Sequence, residues 1–293
     1  MVKVRFGVAL GGSAEPASLP EVVDTLESAG VDSLWFPELV YSPAVDPTVG
    51  MAYAIARTER LKVGTSVAIL PGRHPVLVAK QLASLSALAP KRILPVFGLR
   101  AALPAERRLF PAPEGSRAEL FDESLALLRA ALSGDDVSFH GDHFDLDFRL
   151  DAGPVPPIDV WLGGSAPAAL RRIGRFGDGW LGSFLTPEEA GRARESINAA
   201  AAEAGRAIEP DHFGITVLFA EGGVPPQVGD LIRRQRPDCD PGDLIADGWP
   251  ALHRLLDGYL DAGLTKFVIS TVGSVPTRDF IDTFVTELLP RQN

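Results

Sequence analysis

Val63-Gly64-Thr65-Ser66-Val67-Ala68-Ile69 is a short apolar run, and the segment after it carries Val76, Ala79, Leu82 and Ala83 at helical spacing. Ile93-Leu94-Pro95-Val96-Phe97 is the next apolar run. A strand, a helix and a second strand in that order form a βαβ unit, whose crossover returns the chain so that the two strands lie parallel. The fold then depends on how often the unit repeats.

It repeats in both directions. Towards the N-terminus stand Val4-Arg5-Phe6-Gly7-Val8-Ala9-Leu10, a helix with Leu19, Val22, Val23 and Leu26 on one face, and Ser33-Leu34-Trp35-Phe36. Ser18 and Glu21, three apart, predict a capping box for that helix, and Asp46-Pro47 opens the next as N-cap and first-turn proline. Towards the C-terminus come a helix with Phe121, Leu125 and Leu128, the strand Ile158-Asp159-Val160-Trp161-Leu162, and a helix with Ala169, Ile173 and Phe176. Gly179-Trp180-Leu181-Gly182 is a short sixth strand, and Thr186-Pro187-Glu188-Glu189 starts a helix with a capping box. A seventh strand over residues 213–219, a helix with Leu252, Leu255, Leu256 and Tyr259, the strand Lys266-Phe267-Val268-Ile269-Ser270 and a last helix with Phe280, Ile281 and Phe284 complete the series. Such alternation also suits a doubly wound open sheet, but eight consecutive units favour closure. The expectation is an α/β chain folded as one (β/α)8 TIM barrel domain over residues 1–293.

Two stretches stand outside the repeat. Residues 137–148 alternate apolar and polar around Gly141-Asp142, which predicts an added hairpin after the fourth unit. Residues 221–249 are rich in Gly, Pro and charge, and form a long insertion between strand seven and helix seven, too long for an ordinary turn and read as a lid or an extra short helix.

Composition narrows the function. Hydrophobic residues make up 46% and charged residues 23%, a globular balance. Net charge is −10 with no Lys/Arg block, which argues against nucleic acid as a partner. Cys239 is the single cysteine, so no intramolecular disulfide exists, and no Cys/His cluster has the spacing of a zinc site. No apolar run is long enough to span a bilayer and no signal-peptide layout opens the chain, so a cytoplasmic location without membrane contact is expected.

In a barrel of this kind chemistry gathers on the loops after the strands. Glu38 follows the second strand, in Pro37-Glu38-Leu39-Val40-Tyr41; a carboxylate there bonds a ligand or serves as a base, and pairing with a neighbouring Arg is the structural alternative. Thr65-Ser66-Val67-Ala68 places small and polar residues where a flat ligand can approach the backbone, or where a buried strand simply needs filling. Arg100, ending Phe97-Gly98-Leu99-Arg100, clamps an anionic group or pairs with Glu106. Gly163-Gly164-Ser165-Ala166-Pro167 frees the backbone before a helix, where Ser165 as N-cap and the exposed N–H groups favour a phosphate. A tight turn alone also accounts for those glycines. Trp180 either walls an aromatic ligand or fills the barrel. His74, His140 and His143 lack partners at metal spacing.

Six stretches, taken in order, carry a resemblance. They are Ser33-Leu34-Trp35-Phe36-Pro37-Glu38, Asp46-Pro47, Arg57-Thr58-Glu59-Arg60-Leu61-Lys62-Val63-Gly64-Thr65-Ser66-Val67, His74-Pro75-Val76-Leu77-Val78-Ala79-Lys80, Trp161-Leu162-Gly163-Gly164-Ser165 and Gly177-Asp178-Gly179-Trp180. Over nearly the whole chain the sequence resembles the luciferase-like monooxygenase superfamily, and within it the coenzyme F420-dependent oxidoreductase branch. The resemblance implies a barrel with an excursion after the fourth unit, and hydride transfer between F420 and a small organic substrate. FMN-dependent monooxygenation and a non-catalytic cofactor-binding barrel are the alternatives, and a homodimer is the family expectation. It places Glu38 near the deazaflavin ring and a non-prolyl cis peptide at Ser66-Val67 behind it, with Ala68, Gly98 and Trp180 beside the cofactor. Gly163, Gly164 and Ser165 fall near its phosphate-bearing tail, and Tyr41 and Arg100 become candidate substrate contacts. The chain departs from the pattern in three places. Leu39 stands where many relatives have His, Gly98 alone remains of a glycine-rich run, and Ala101 replaces a catalytic Glu of the sugar-phosphate dehydrogenase branch. These departures speak against a glucose-6-phosphate-type mechanism.

Overall fold

The computed structural model describes residues 3–151, 156–272 and 277–293. The first half of the chain gives β1 (Arg5–Ala9), α1 (Leu19–Ala29), β2 (Ser33–Phe36), α2 (Pro47–Arg57), β3 (Lys62–Thr65), β4 (Ala68–Ile69), α3 (Pro75–Leu88), β5 (Ile93–Leu94), β6 (Val96–Gly98) and α4 (Arg117–Leu132). A hairpin follows, β7 (Asp136–His140) and β8 (Asp145–Arg149), then β9 (Trp161–Gly163), α5 (Pro167–Phe176), β10 (Gly179–Ser183), α6 (Pro187–Glu203) and β11 (Phe213–Ala220). The last part holds α7 (Pro226–Gln235), β12 (Ile245–Asp247), α8 (Trp249–Asp261), β13 (Lys266–Thr271) and α9 (Arg278–Leu288).

The hydrogen-bonded order is β4-β6-β9-β10-β11-β13-β1-β2-β3-β5. Its two ends are halves of interrupted strands. β3 and β4 are one strand broken at Ser66-Val67, and β5 and β6 are one strand broken at Pro95, which has no N–H to give to a ladder. β3 pairs with β5 below the breaks and β4 with β6 above them, so the path closes on itself as an eight-stranded parallel barrel. Thr65 repairs the gap at the proline: its hydroxyl donates to the Val96 carbonyl at 2.7 Å and accepts from the Val96 N–H at 2.8 Å.

Alternation sorts the strand residues into two layers. Ala9, Trp35, Val96, Trp161, Leu181 and Val268 fill the barrel interior, with Val67 packed on them. Phe6, Leu34, Ala68, Phe97, Leu162, Trp180 and Phe267 belong to the larger cluster between barrel and helices. At the N-terminal end of the barrel Asp32, with 6% of its side chain exposed, accepts from Lys62 at 2.9 Å, from Lys266, and lies 3.6 Å from Arg5. Burial raises the Asp32 carboxyl, but Lys266 and Lys62 outweigh it and hold the pKa at about 2.

The added hairpin is present as expected, with Glu123 of α4 accepting the N–H groups of Asp142, His143 and Phe144 at its turn. The insertion after β11 contains α7 and β12, so nine α-helices rather than the expected eight are found among the described residues. The Thr186 capping box forms, whereas the one expected at Ser18 does not. Ser18 sits in a preceding short 3-10 turn with helical backbone angles, and its hydroxyl donates back to the Glu15 carbonyl.

Candidate active site

The rim at the C-terminal ends of β2 to β9 is organised around one extra residue. Gly64 pairs with Leu94 and Ala68 with Phe97, so four steps along the third strand match three along the fourth. The surplus is absorbed at residues 65–67 as a bulge, the usual device for re-aiming a strand end. The Ser66-Val67 peptide within it is cis. The bulge carries Val67 towards the barrel axis, where it packs with the interior cluster. A Cβ on Gly98 would meet a Val67 methyl at 2.7 Å, and one on Gly163 would meet the other at 3.2 Å. Glycine at Gly98 is therefore required by the closeness of the bulge.

Glu38 clamps the bulge from the side. One carboxylate oxygen accepts the Ile69 N–H at 2.7 Å and an Arg73 N–H at 3.0 Å, and the other accepts from Arg73 at 2.5 Å. Arg73 also donates to the Ile69 carbonyl at 2.9 Å. With both oxygens engaged and 4% of the side chain exposed, Glu38 is a bound carboxylate rather than a free base. The arginine pairing that stands as the structural alternative for Glu38 is thus made, by Arg73, a residue the sequence did not single out. The signal available was its place: the end of the strand next to that of Glu38, where a desolvated acid needs a cation.

At the end of β9 the chain turns through Gly164, whose φ of +120° is a left-handed conformation and whose added Cβ would lie 2.9 Å from that of Ala169. The Gly164 carbonyl accepts the Trp180 indole N–H at 2.9 Å. Trp180 is fully buried in the helix-facing layer, so it neither walls a ligand nor fills the barrel interior. It positions the Gly164 turn instead. The Ala68 side chain faces the helices, which leaves only its backbone towards the rim. The N-cap of α5 is Ala166, and no side chain caps it, so Ser165 lies before the helix and leaves the first N–H groups of α5 without a side-chain cap. Gly164, Ser165 and Ala166 are all exposed.

The substrate candidates lie on the neighbouring loops. Tyr41 is 60% exposed, and its backbone N–H donates to Glu106 at 2.7 Å. Glu106 is fully buried in the segment after β6 and is thereby taken away from Arg100. Arg100 is exposed and stands near Arg117, whose pKa is lowered by burial and by that neighbour. Across the barrel the insertion forms a small core of Ala220, Ile232, Leu244 and Ile245. Arg236 at the end of α7 ties it down, donating to the Phe184 carbonyl, to Glu189 at 2.7 Å and to Asp238 at 3.0 Å. Burial alone would raise the Glu189 carboxyl, but the Thr186 N–H and Arg236 hold it low. Among the described residues no cluster of His, Cys, Asp and Glu is arranged to hold a metal, and no helix is long and apolar enough to cross a membrane.

The profile of the luciferase-like monooxygenase family matches residues 1–222, which hold every strand of the barrel but the last. The chain belongs to the luciferase-like monooxygenase family. The matched region ends where the insertion begins. An uncharacterised protein of Mycobacterium tuberculosis is 34% identical over 181 residues, and the match spans 61% of this chain and 61% of that relative's length. The F420-dependent glucose-6-phosphate dehydrogenase of Beutenbergia cavernae is 28% identical over 316 residues, covering 90% of each chain. In three dimensions the family fold is shared with an F420-dependent secondary alcohol dehydrogenase solved in complex with an F420-acetone adduct. That likeness has a TM-score of 0.80 at 17% identity and covers 99% of this chain and 100% of the other.

Proposed function

We propose that this luciferase-like protein is an oxidoreductase that holds coenzyme F420 on the rim of β3 to β9 and passes a hydride between it and a small organic substrate. The observation that carries the reading is the inward bulge at Val67, seated close against Gly98 and Gly163 at the rim. Such a bulge suits the back of a flat ring, and a Cβ at Gly98 would push Val67 out of place. The names of the Beutenbergia and alcohol dehydrogenase relatives support the coenzyme.

When bound, F420 supplies the hydride-transfer chemistry itself. The chain's part is to hold and orient. Ser66, Val67, Gly98 and Gly163 form the support for the ring. The exposed Gly164-Ser165 turn and the positive end of α5, which no side chain caps, suit the tail phosphate. Glu38 and Arg73 position the support by fixing Ile69, and Tyr41 and Arg100 stand on the loops where a substrate enters. Because Glu38 is engaged by Arg73, no proton transfer is assigned to it.

FMN has a ring of the same shape, so the two coenzymes are compared directly. Titration of the purified protein with F420, followed by its fluorescence, is expected to saturate within tens of micromolar, with FMN binding more weakly. No F420 binding, or a preference for FMN with a flavin absorbance band in the purified protein, overturns the reading.

A further inference from the structure

The bulge that brings Val67 inwards leaves space on its other side. Behind it, between the barrel wall and helices α2 and α3, lies a pocket of about 190 Å3. Met51, Ala68, Val78, Leu82, Leu85 and Phe97 give it apolar walls, and all six are buried members of the helix-facing cluster. Glu38 and Arg73 also line it. Asp46, Val49 and Gln81 also line it and are exposed, which marks its opening. The space is separate from the rim support, because Val67, Gly98 and Gly163 are absent from its lining and Val67 belongs to the interior cluster.

We infer that this pocket is a binding site for a single-ring aromatic alcohol, a molecule the size of phenol. Size and lining choose the ring: a dry apolar cavity of roughly 150 Å3 is enough to take benzene, and this one is somewhat larger. The oxygen is chosen by Arg73. A guanidinium has five N–H donors, and among the described residues three of those on Arg73 are used, two on Glu38 and one on the Ile69 carbonyl. The guanidinium face lies over the Phe110 ring, and the two N–H groups left have no hydrogen-bond partner among the described residues, on a side chain that lines the pocket. A hydroxyl oxygen accepts from one of them while the ring packs on Leu82 and Phe97. Ala68 follows Val67 directly in the chain, so an occupant here presses on the bulge from the face opposite to the ring support.

The test needs no coenzyme, so its outcome is independent of the F420 reading. Methyl-labelled protein is titrated with phenol and, separately, with benzene while NMR signals are followed. Both ligands are expected to shift Met51, Val78 and Leu82 saturably, phenol with a dissociation constant at or below about 1 mM, equivalent to roughly 4 kcal/mol. Ala68→Leu, which fills the space, is expected to weaken both at least tenfold. Arg73→Leu is expected to weaken phenol about tenfold and leave benzene unchanged, benzene binding serving as the check that this variant is folded. Shifts confined to Val67 and Leu99, no saturable shift, or equal loss of both ligands in a folded Arg73→Leu protein would overturn the inference.

Discussion

Strand β2 carries a buried carboxylate at each end, Asp32 before it and Glu38 after it, and the two are used differently. Asp32 is held by Lys62, Lys266 and Arg5, side chains from β1, β3 and β13, so it stitches neighbouring strands at the closed end of the barrel. Glu38 is held by one arginine and one backbone N–H, both just beyond the bulge, so it fixes the shape of the rim. In barrels the N-terminal face serves stability and the C-terminal face serves chemistry. Here the same residue type, at either end of a four-residue strand, performs one task each.

Removing Asp32 gives the largest expected effect on stability. Asp32→Asn leaves Lys266 buried without its counter-ion and is expected to cost about 3 kcal/mol, read by denaturant unfolding, with coenzyme affinity unchanged. Its pH signature follows from the lowered carboxyl. A group whose folded pKa is depressed contributes stability above its unfolded value, and loses it as pH falls towards the folded value. Wild-type stability therefore falls between pH 3.8 and about 2 by an increment that Asp32→Asn lacks. A wild-type and mutant acid limb of the same shape would break the comparison from the stability side.

Arg73→Leu comes next. It leaves Glu38 buried with only the Ile69 N–H, and is expected to cost about 2 kcal/mol, below the range for fully buried pairs because Arg73 is a third exposed. Coenzyme affinity is expected to fall at least tenfold. Unchanged affinity in a folded protein would reduce the Glu38-Arg73 pair to a second structural stitch.

Gly98→Ala sharpens the same point on the backbone. The methyl has to displace Val67, an overpacking worth about 1 kcal/mol or more, and coenzyme affinity drops with little further loss of stability. Arg236→Leu has the smallest global effect, under about 1 kcal/mol for a partly exposed pair. Hydrogen exchange at residues 226–247 is expected to quicken while the rim of β3 to β9 keeps its protection.

The closed end and the rim also differ in how far their sequence can be read. The strand and helix periods gave every barrel unit, because burial imposes them locally. Parity was harder: Gly179-Trp180-Leu181-Gly182 does not say which of Trp180 and Leu181 faces inwards, and the register places Leu181 inside. Identical S/T-x-x-E spacing gave a capping box at Thr186 and none at Ser18, since the first has an extended backbone and the second continues a turn. Residues of the bulge were legible through family resemblance, but the Glu38-Arg73 pair joins positions 35 apart and follows only from the packing of adjacent strand ends. The length of the Gly- and Pro-rich insertion pointed to a lid or an extra short helix; α7 is such a helix, though its bounds were not legible because its small core forms only against β11 and β12.

A crystal structure of the protein soaked with F420 tests the central claim most directly. The account predicts the deazaflavin ring against Val67, Gly98 and Gly163, with the tail phosphate at the Gly164-Ser165 turn. A coenzyme seated away from Val67, or a rim in which the bulge has been displaced to admit it, would contradict the account.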